Sequence, residues 1–344
     1  VFETNSLAIR GLNVVKAHIA IISNAPSLIY DAKYFEGVRH PAILKGNGWH
    51  ICCQKANFSL EIFNHKIPGN IDGYFYIIDN PIEPTIHITS DRIVALGEWP
   101  KLELEVLDDR YTLLGNQGLL FKFILKTLEY RYGIYNLHAC ALIDESSNEL
   151  VVALGERGSG KSALLLSALD RGLFKLFASE IVHVSLEDND VIFYRGATRN
   201  NVRIGHLVCD FPRIAEKLGL EFSDIIDIWD TKVQIDLEPY SSKLNRIVNP
   251  KVTLIMPRIE EYVKNPRFRV VDNVIRIKRI IFENLSDKIE SPTLIYERIP
   301  IGGFKDVSLR TRRLEFVERI LESLKIKKAI SLYASPSTCL EGWT

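Results

Sequence analysis

Residues 150–172 read LVVALGERGSGKSALLLSALDRG. An apolar run, Leu150–Leu154, enters a glycine-rich turn, and a leucine-rich segment leaves it. The turn, Gly155-Glu156-Arg157-Gly158-Ser159-Gly160-Lys161-Ser162, fits the pattern GxxxxGK followed by Ser or Thr. At average residue frequencies, four fixed positions would occur by chance in such a chain on the order of 1% of the time. Context sharpens the match. The apolar run supplies a strand, and Ser162–Leu169 supplies a helix that Gly172 can end.

Glycines let backbone N–H groups converge on phosphate oxygens with no Cβ in the way. The N-terminus of the following helix adds donors and the positive end of its dipole. Gly155, Gly158, Ser159, Gly160, Lys161, Ser162 and Ala163 are therefore the expected nucleotide-binding residues. Lys161 is expected to reach the β- and γ-phosphates. The Ser162 hydroxyl is expected to bind magnesium, a hard cation that prefers oxygen. Glu156 and Arg157 read as solvent-facing spacers. A second acid is needed on the metal side. The segment 172–180, GLFKLFASE, reads as an apolar strand ending beside the nucleotide, which makes Glu180 the candidate.

The chain has 344 residues, enough for two domains of ordinary size. It is 47% hydrophobic and 25% charged, as soluble globular proteins are. Forty-three basic residues balance forty-three acidic ones, so charge gives no signal for nucleic acid or an anionic membrane. No apolar run is long enough to span a membrane. The first residues lack the order of a secretory signal. The five cysteines, Cys52, Cys53, Cys140, Cys209 and Cys339, show no CxxC pair, and they read as reduced thiols of a cytoplasmic protein.

Residues 1–115 read as a β-rich domain of unknown role. Short strand-like runs are separated by turn formers at Gly46-Asn47-Gly48, Pro68-Gly69-Asn70 and Asp79-Asn80-Pro81. A helix is expected over 116–133, capped by Asn116, with Leu119, Leu120, Phe123, Ile124 and Leu128 on one face. Residues 116–330 then form a glycine-turn domain. YNLHACALID and ELVVALG flank a polar loop and predict an antiparallel hairpin feeding the turn. EIVHVSLEDNDVIFYRG predicts a second one. Strands are expected at 233–239 and 251–259, and a helix over 307–325. Residues 331–344 are expected to form a loosely held tail.

Taken together, these residues resemble the HPr kinase/phosphorylase family and its wider group of related proteins. The matching pieces are Leu137-His138-Ala139, Gly155 to Ser162, Asp170-Arg171-Gly172 and Ala178-Ser179-Glu180. The hairpin into the P-loop is also that family's feature, shared with the phosphoenolpyruvate carboxykinase type of fold. The resemblance covers about residues 116–205. It implies an α/β fold with a mixed sheet and, by analogy, a homo-oligomer. It also implies ATP, magnesium and phosphoryl transfer to a hydroxyl. His138 falls where the family has a histidine near the phosphate site, and Glu180 matches an acidic metal-side position.

The departure is Ser179, where the family has an aspartate assigned to activating the acceptor. A serine hydroxyl is a poor base. His138, Glu180 and, more distantly, Asp210 are the candidate substitutes. Arg195, Arg199 and Arg203 follow the second hairpin, and arginines there would stabilise charge on the transferring group. Arg199 is assigned to catalysis with His138, Lys161 and Glu180. Arg310-Thr311-Arg312-Arg313 reads as a solvated face. The expected function is a magnesium- and ATP-dependent kinase acting on a hydroxyl of a peptide, protein or metabolite. The alternatives are a nucleotide-binding regulatory or scaffold protein without transfer activity, and a nucleoside triphosphatase switch.

Overall fold

The computed structural model describes residues 8–23, 50–52, 71–78, 85–88, 92–96, 103–107, 110–114, 118–222, 225–295, 299–301, 303 and 306–341. The turns expected at 46–48, 68–70 and 79–81, the Asn116 cap and Cys53 lie outside the described residues. The chain divides into two units, Val1–Gly133 with Ile289–Asp306 and Ile134–Lys288 with Val307–Thr344. No described helix is long and apolar enough to cross a membrane.

In the first unit, six strands form a mixed sheet: Ala8–Val14, Ala17–Ser23, His50–Cys52, Gly73–Ile78, Thr85–Ile88 and Arg92–Leu96. A helix, Gly118–Tyr132, belongs to this unit, whereas the sequence assigned it to the glycine-turn domain. Its Leu120, Phe123, Ile124 and Leu128 are buried. Asp72 ties the helix to the sheet. Its Oδ2 accepts from Tyr132 OH at 2.6 Å and from the His18 amide at 2.8 Å. Burial and that carboxylate push the Tyr132 phenol up to about 12.

The second unit is built on a nine-stranded mixed sheet. Its elements are β1 (Tyr135–Asp144), β2 (Glu149–Leu154), α1 (Lys161–Asp170), β3 (Lys175–Ala178), β4 (Ile181–Glu187), β5 (Asp190–Tyr194), β6 (Arg199–Arg203), α2 (Pro212–Lys217), β7 (Lys232–Asp236), β8 (Arg246–Val248), β9 (Lys251–Ile259), β10 (Arg267–Val270), α3 (Val274–Glu290), α4 (Val307–Ser323) and β11 (Ile326–Ala334). Residues 289–290 of α3 fall in the first unit. The sheet runs β8-β5-β4-β1-β2-β9-β11-β10, with β3 on β1, while β6 and β7 form a ribbon of their own. Both expected hairpins form, β1 with β2 and β4 with β5. On the other side of β2 the pairing turns parallel, to β9 and then β11.

The period-2 alternation of β2 sends its side chains to two helical layers. Leu150, Val152 and Leu154 pack with Ile277, Ile281 and Leu285 of α3 and with Phe316, Val317 and Ile320 of α4. Val151 and Ala153 pack with Leu164, Leu165 and Leu169 of α1. A sheet covered on both faces explains why these strands read as continuous apolar runs. Full burial of each leucine-sized side chain contributes about 1.5–3 kcal/mol.

Two expectations about this unit fail. Residues 326–334 are a strand inside the sheet, and Cys339 and Leu340 are buried against the α1 layer, so residues 331–340 are core rather than tail. Arg313, expected on a solvated face, is fully buried (0% exposed), whereas Arg310 and Arg312 are exposed. Helix α3 had no counterpart in the sequence reading. Asn273 caps it, its Oδ1 accepting from the Arg276 amide at 3.0 Å.

Candidate functional site

The glycine turn joins the end of β2 to the start of α1. Gly160 precedes α1 with φ at 92°, and a Cβ there would run into Ile259, so the position needs glycine. No side chain caps α1, so its opening amides keep their donors for another partner. The loop is held from two sides. The Ile259 amide donates to Ser159 O at 3.1 Å, and the Gly155 amide donates to Asn284 Oδ1 of α3 at 3.2 Å. Lys161 is only 8% exposed, and its ammonium donates to Gly155 O at 2.6 Å and Glu156 O at 3.0 Å. Burial, with Lys288 nearby, lowers its pKa.

The turn opens on a cavity of about 610 Å³. Gly158, Gly160, Lys161, Ser162 and Ala163 line it; Gly155 and Ser159 do not. Glu180, between β3 and β4, lines it with its side chain 44% exposed. Its carboxylate is paired with the Lys288 ammonium of α3. Burial works to raise the Glu180 pKa, but Lys288, with His138 and Lys161, outweighs it and holds the carboxyl below its usual range.

His138 on β1 completes this flank. It is 8% exposed, and its Nδ1 lies 2.5 Å from Asp287 Oδ2. An ionised carboxylate only accepts, so Nδ1 carries the proton and Nε2 holds the lone pair. Burial lowers the His138 pKa; Asp287 opposes this, and Lys288 and Lys161 add to it. The His138 hydrogen bond in turn holds Asp287 below the usual carboxylate range.

Ser179 is a structural residue here. Its hydroxyl reaches Ala197 O at 2.9 Å and Arg199 O at 2.5 Å, so its single proton is committed to the backbone. Asn200 bridges the same region, its Nδ2 donating to Ser179 O at 3.1 Å and its Oδ1 accepting from Ser162 Oγ at 3.3 Å. Burial pushes the Cys140 thiol up to about 12, so it is no nucleophile.

A second flank of the cavity descends from β6. It carries Arg203, then His206 and Asp210 on a single π-helical turn, with Trp229 and Lys232 facing them. His206 Nδ1 lies 2.6 Å from Asp210 Oδ2.

Arg199, assigned to catalysis from the sequence, is held on the β6–β7 ribbon. Its guanidinium lies near Asp236 at 3.7 Å and Gln234 at 3.5 Å, across the β6–β7 ribbon, and it does not line the cavity. Arg195 is buried and donates to Ser242 O. Arg203 is the arginine of this group that reaches the cavity. The sequence reading missed Asn200, Asn284, Asp287, Lys288, His206 and Trp229. Asn284, Asp287 and Lys288 sit at i, i+3 and i+4 on one face of α3, a pattern invisible without the helix.

Oxygen donors suited to magnesium stand near the turn. Ser162 Oγ, Glu180 and Asn200 Oδ1 are the donors near the turn, and they fit a hard cation. Among the described residues no three His, Cys, Asp or Glu side chains form a metal cage.

No protein-family model matches the chain, and no curated protein matches it. Among solved structures, the chain is similar to the Hpr(Ser) kinase/phosphatase from Coxiella burnetii. The identity is 15%, the TM-score is 0.23, and the match covers 54% of this chain and 96% of that one. This is a weak, partial structural resemblance and nothing more specific. The second unit is α/β, with a mixed sheet between helices.

Proposed function

We propose that the protein is a magnesium-dependent kinase that transfers the ATP γ-phosphate to a hydroxyl of a peptide, protein or small-molecule acceptor. The observation that carries this reading is the turn itself: glycines, an uncapped helix start, Lys161 and Ser162, all opening on one cavity. In this reading the α1 amides and Lys161 hold the β- and γ-phosphates. Ser162 and Glu180 hold magnesium, which when bound shields the phosphate charge. Lys288, paired with Glu180 in the structure, would supply positive charge to the transferring group. His138, kept in one tautomer by Asp287, presents Nε2 beside the phosphates.

A second reading, a nucleotide-binding regulatory protein without transfer activity, is favoured by Ser179. Its hydroxyl is bound to the backbone where the resembled family has a carboxylate. One experiment separates the two. The full chain is incubated with MgATP and pools of serine-, threonine- and tyrosine-containing peptides or of metabolites, and products are read by mass. The kinase reading expects ADP and a phosphorylated acceptor in equal amounts. Nucleotide binding with no product from any pool favours the regulatory reading.

A further inference from the structure

The second flank of the cavity is built as firmly as the first, and nothing above gives it a role. The π-helical turn His206–Asp210 sits at the end of β6, closed by the Phe211 amide donating to His206 O at 2.8 Å. Single π turns of this kind recur at functional sites. They place i and i+4 side chains together, here the imidazole and the carboxylate. Asp210 accepts, so Nδ1 is the protonated nitrogen and Nε2 is left as a base. His206 is 26% exposed and lines the cavity.

Trp229 is locked beside it. The indole meets the imidazole edge-on, with centroids 5.5 Å apart at 89°. Gly205 lets the ring lie against the backbone, since a Cβ there would collide with it. Arg203 donates to Trp229 O at 2.5 Å, and Asp227 Oδ1 accepts from the Trp229 and Asp230 amides at 3.2 and 3.0 Å. Strand β6 begins at the catalytic end of the turn, because Asn200 touches the Ser162 hydroxyl. The flank that β6 leads to is therefore the one beside the γ-phosphate. The other side of the turn, formed by Ile259, Glu261 and Pro336, is left for the nucleoside.

We propose that this flank is the acceptor subsite and that His206, oriented by Asp210, is the base that takes the acceptor's proton. The inference rests on the transferase reading. The acceptor is a hydroxyl compound with a flat or apolar group beside the hydroxyl, which lies on Trp229. The hydroxyl proton passes to His206 Nε2. The acceptor oxygen bonds to the γ-phosphorus, and the bond from that phosphorus to the β,γ-bridging oxygen breaks with its electron pair going to ADP. His206 then gives its proton to water. His206 is the catalytic residue in this scheme, and Asp210 is a positioning residue.

The test needs no acceptor. MgADP with tetrafluoroaluminate mimics the phosphoryl group in flight, with water in the attacking position. Titration calorimetry on the full chain compares the affinity of MgADP with and without the fluoride, and that of MgATP. Fluoride is expected to tighten MgADP in the wild type. His206→Gln is expected to lose about tenfold or more of that gain, with MgATP affinity kept within about twofold. Asp210→Asn is expected to lose part of the gain. It is also expected to shift the ¹⁵N signals of His206 from one tautomer to a mixture, a change that a purely structural aspartate would not cause. If His206→Gln does not fold, Asp210→Asn and its spectrum carry the test. An undiminished gain in either variant overturns the proposal. No gain in the wild type, with MgATP still binding, overturns the transferase reading and this proposal together.

Discussion

Two histidines face one cavity, each with a carboxylate on Nδ1, and they are assembled in opposite ways. His138 lies on a central strand, and its partner Asp287 comes from a helix 149 residues later. It is nearly buried, with Lys161 and Lys288 close enough to lower its pKa. His206 and Asp210 share one turn, four residues apart, and are about a quarter exposed. The contrast separates two tasks. In the kinase reading, the dry imidazole beside two ammonium groups is the one proposed to stand with the phosphates. The wetter imidazole beside an indole is the one proposed to stand with an exchangeable acceptor. One pair is a product of the tertiary fold and the other of a local turn, and their energetics should differ accordingly.

A third histidine sharpens the comparison most, because it is buried completely. His183 is fully buried and meets Asn136 Oδ1 at 2.6 Å, and burial drops its pKa to about 3. Its folded pKa thus lies below the unfolded value of about 6.5, so the unfolded chain takes up the proton first. Stability should be flat above that value and fall as pH drops from about 6.5 toward 3. The full change is several kcal/mol at about 1.4 kcal/mol per pH unit. Urea titrations at a series of pH values read the slope, and His183→Gln, though less stable at neutral pH, should flatten it. An equally steep slope in that variant would take the acid sensitivity away from His183.

Next in size is Lys161→Ala. Losing charge-assisted bonds of about 1.5–3 kcal/mol should weaken MgATP roughly 10- to 100-fold, with the circular dichroism spectrum unchanged. The two pairs themselves come last. Asp287→Ala removes a charged hydrogen bond joining β1 to α3, and, discounted for its half-exposed carboxylate, should cost about 1–2 kcal/mol in urea. Asp210→Ala breaks an i,i+4 contact on one turn and should cost less than about 1 kcal/mol. Equal costs would erase the distinction between a tertiary and a local pair.

The same distinction marks what the sequence made legible. The glycine turn, both hairpins, the strand at 251–259 and the helix from Val307 follow from contiguous patterns, and they are present. Helix α3 was missed because Val274, Ile275, Ile277, Ile280 and Ile281 are β-branched, and such a run reads as strand as readily as helix. With α3 went Asn284, Asp287 and Lys288, which brace the turn and set the charge of His138 and Glu180. Strand β11 was taken for a tail because Ser335, Pro336 and Ser337 follow it directly, and its pairing partner β9 is remote in sequence. Arg199 was placed by its neighbours in the chain. Its guanidinium instead lies across the ribbon against Asp236 and Gln234 of β7, while Asn200 lines the cavity.

Every role above depends on the turn between β2 and α1 taking a nucleoside triphosphate. The direct measurement is calorimetric titration of the full chain with ATP, and separately with GTP, in excess magnesium. The expected result is saturable binding of one nucleotide per chain, with at least one of the two. A folded protein that gives no heat with either would contradict the account.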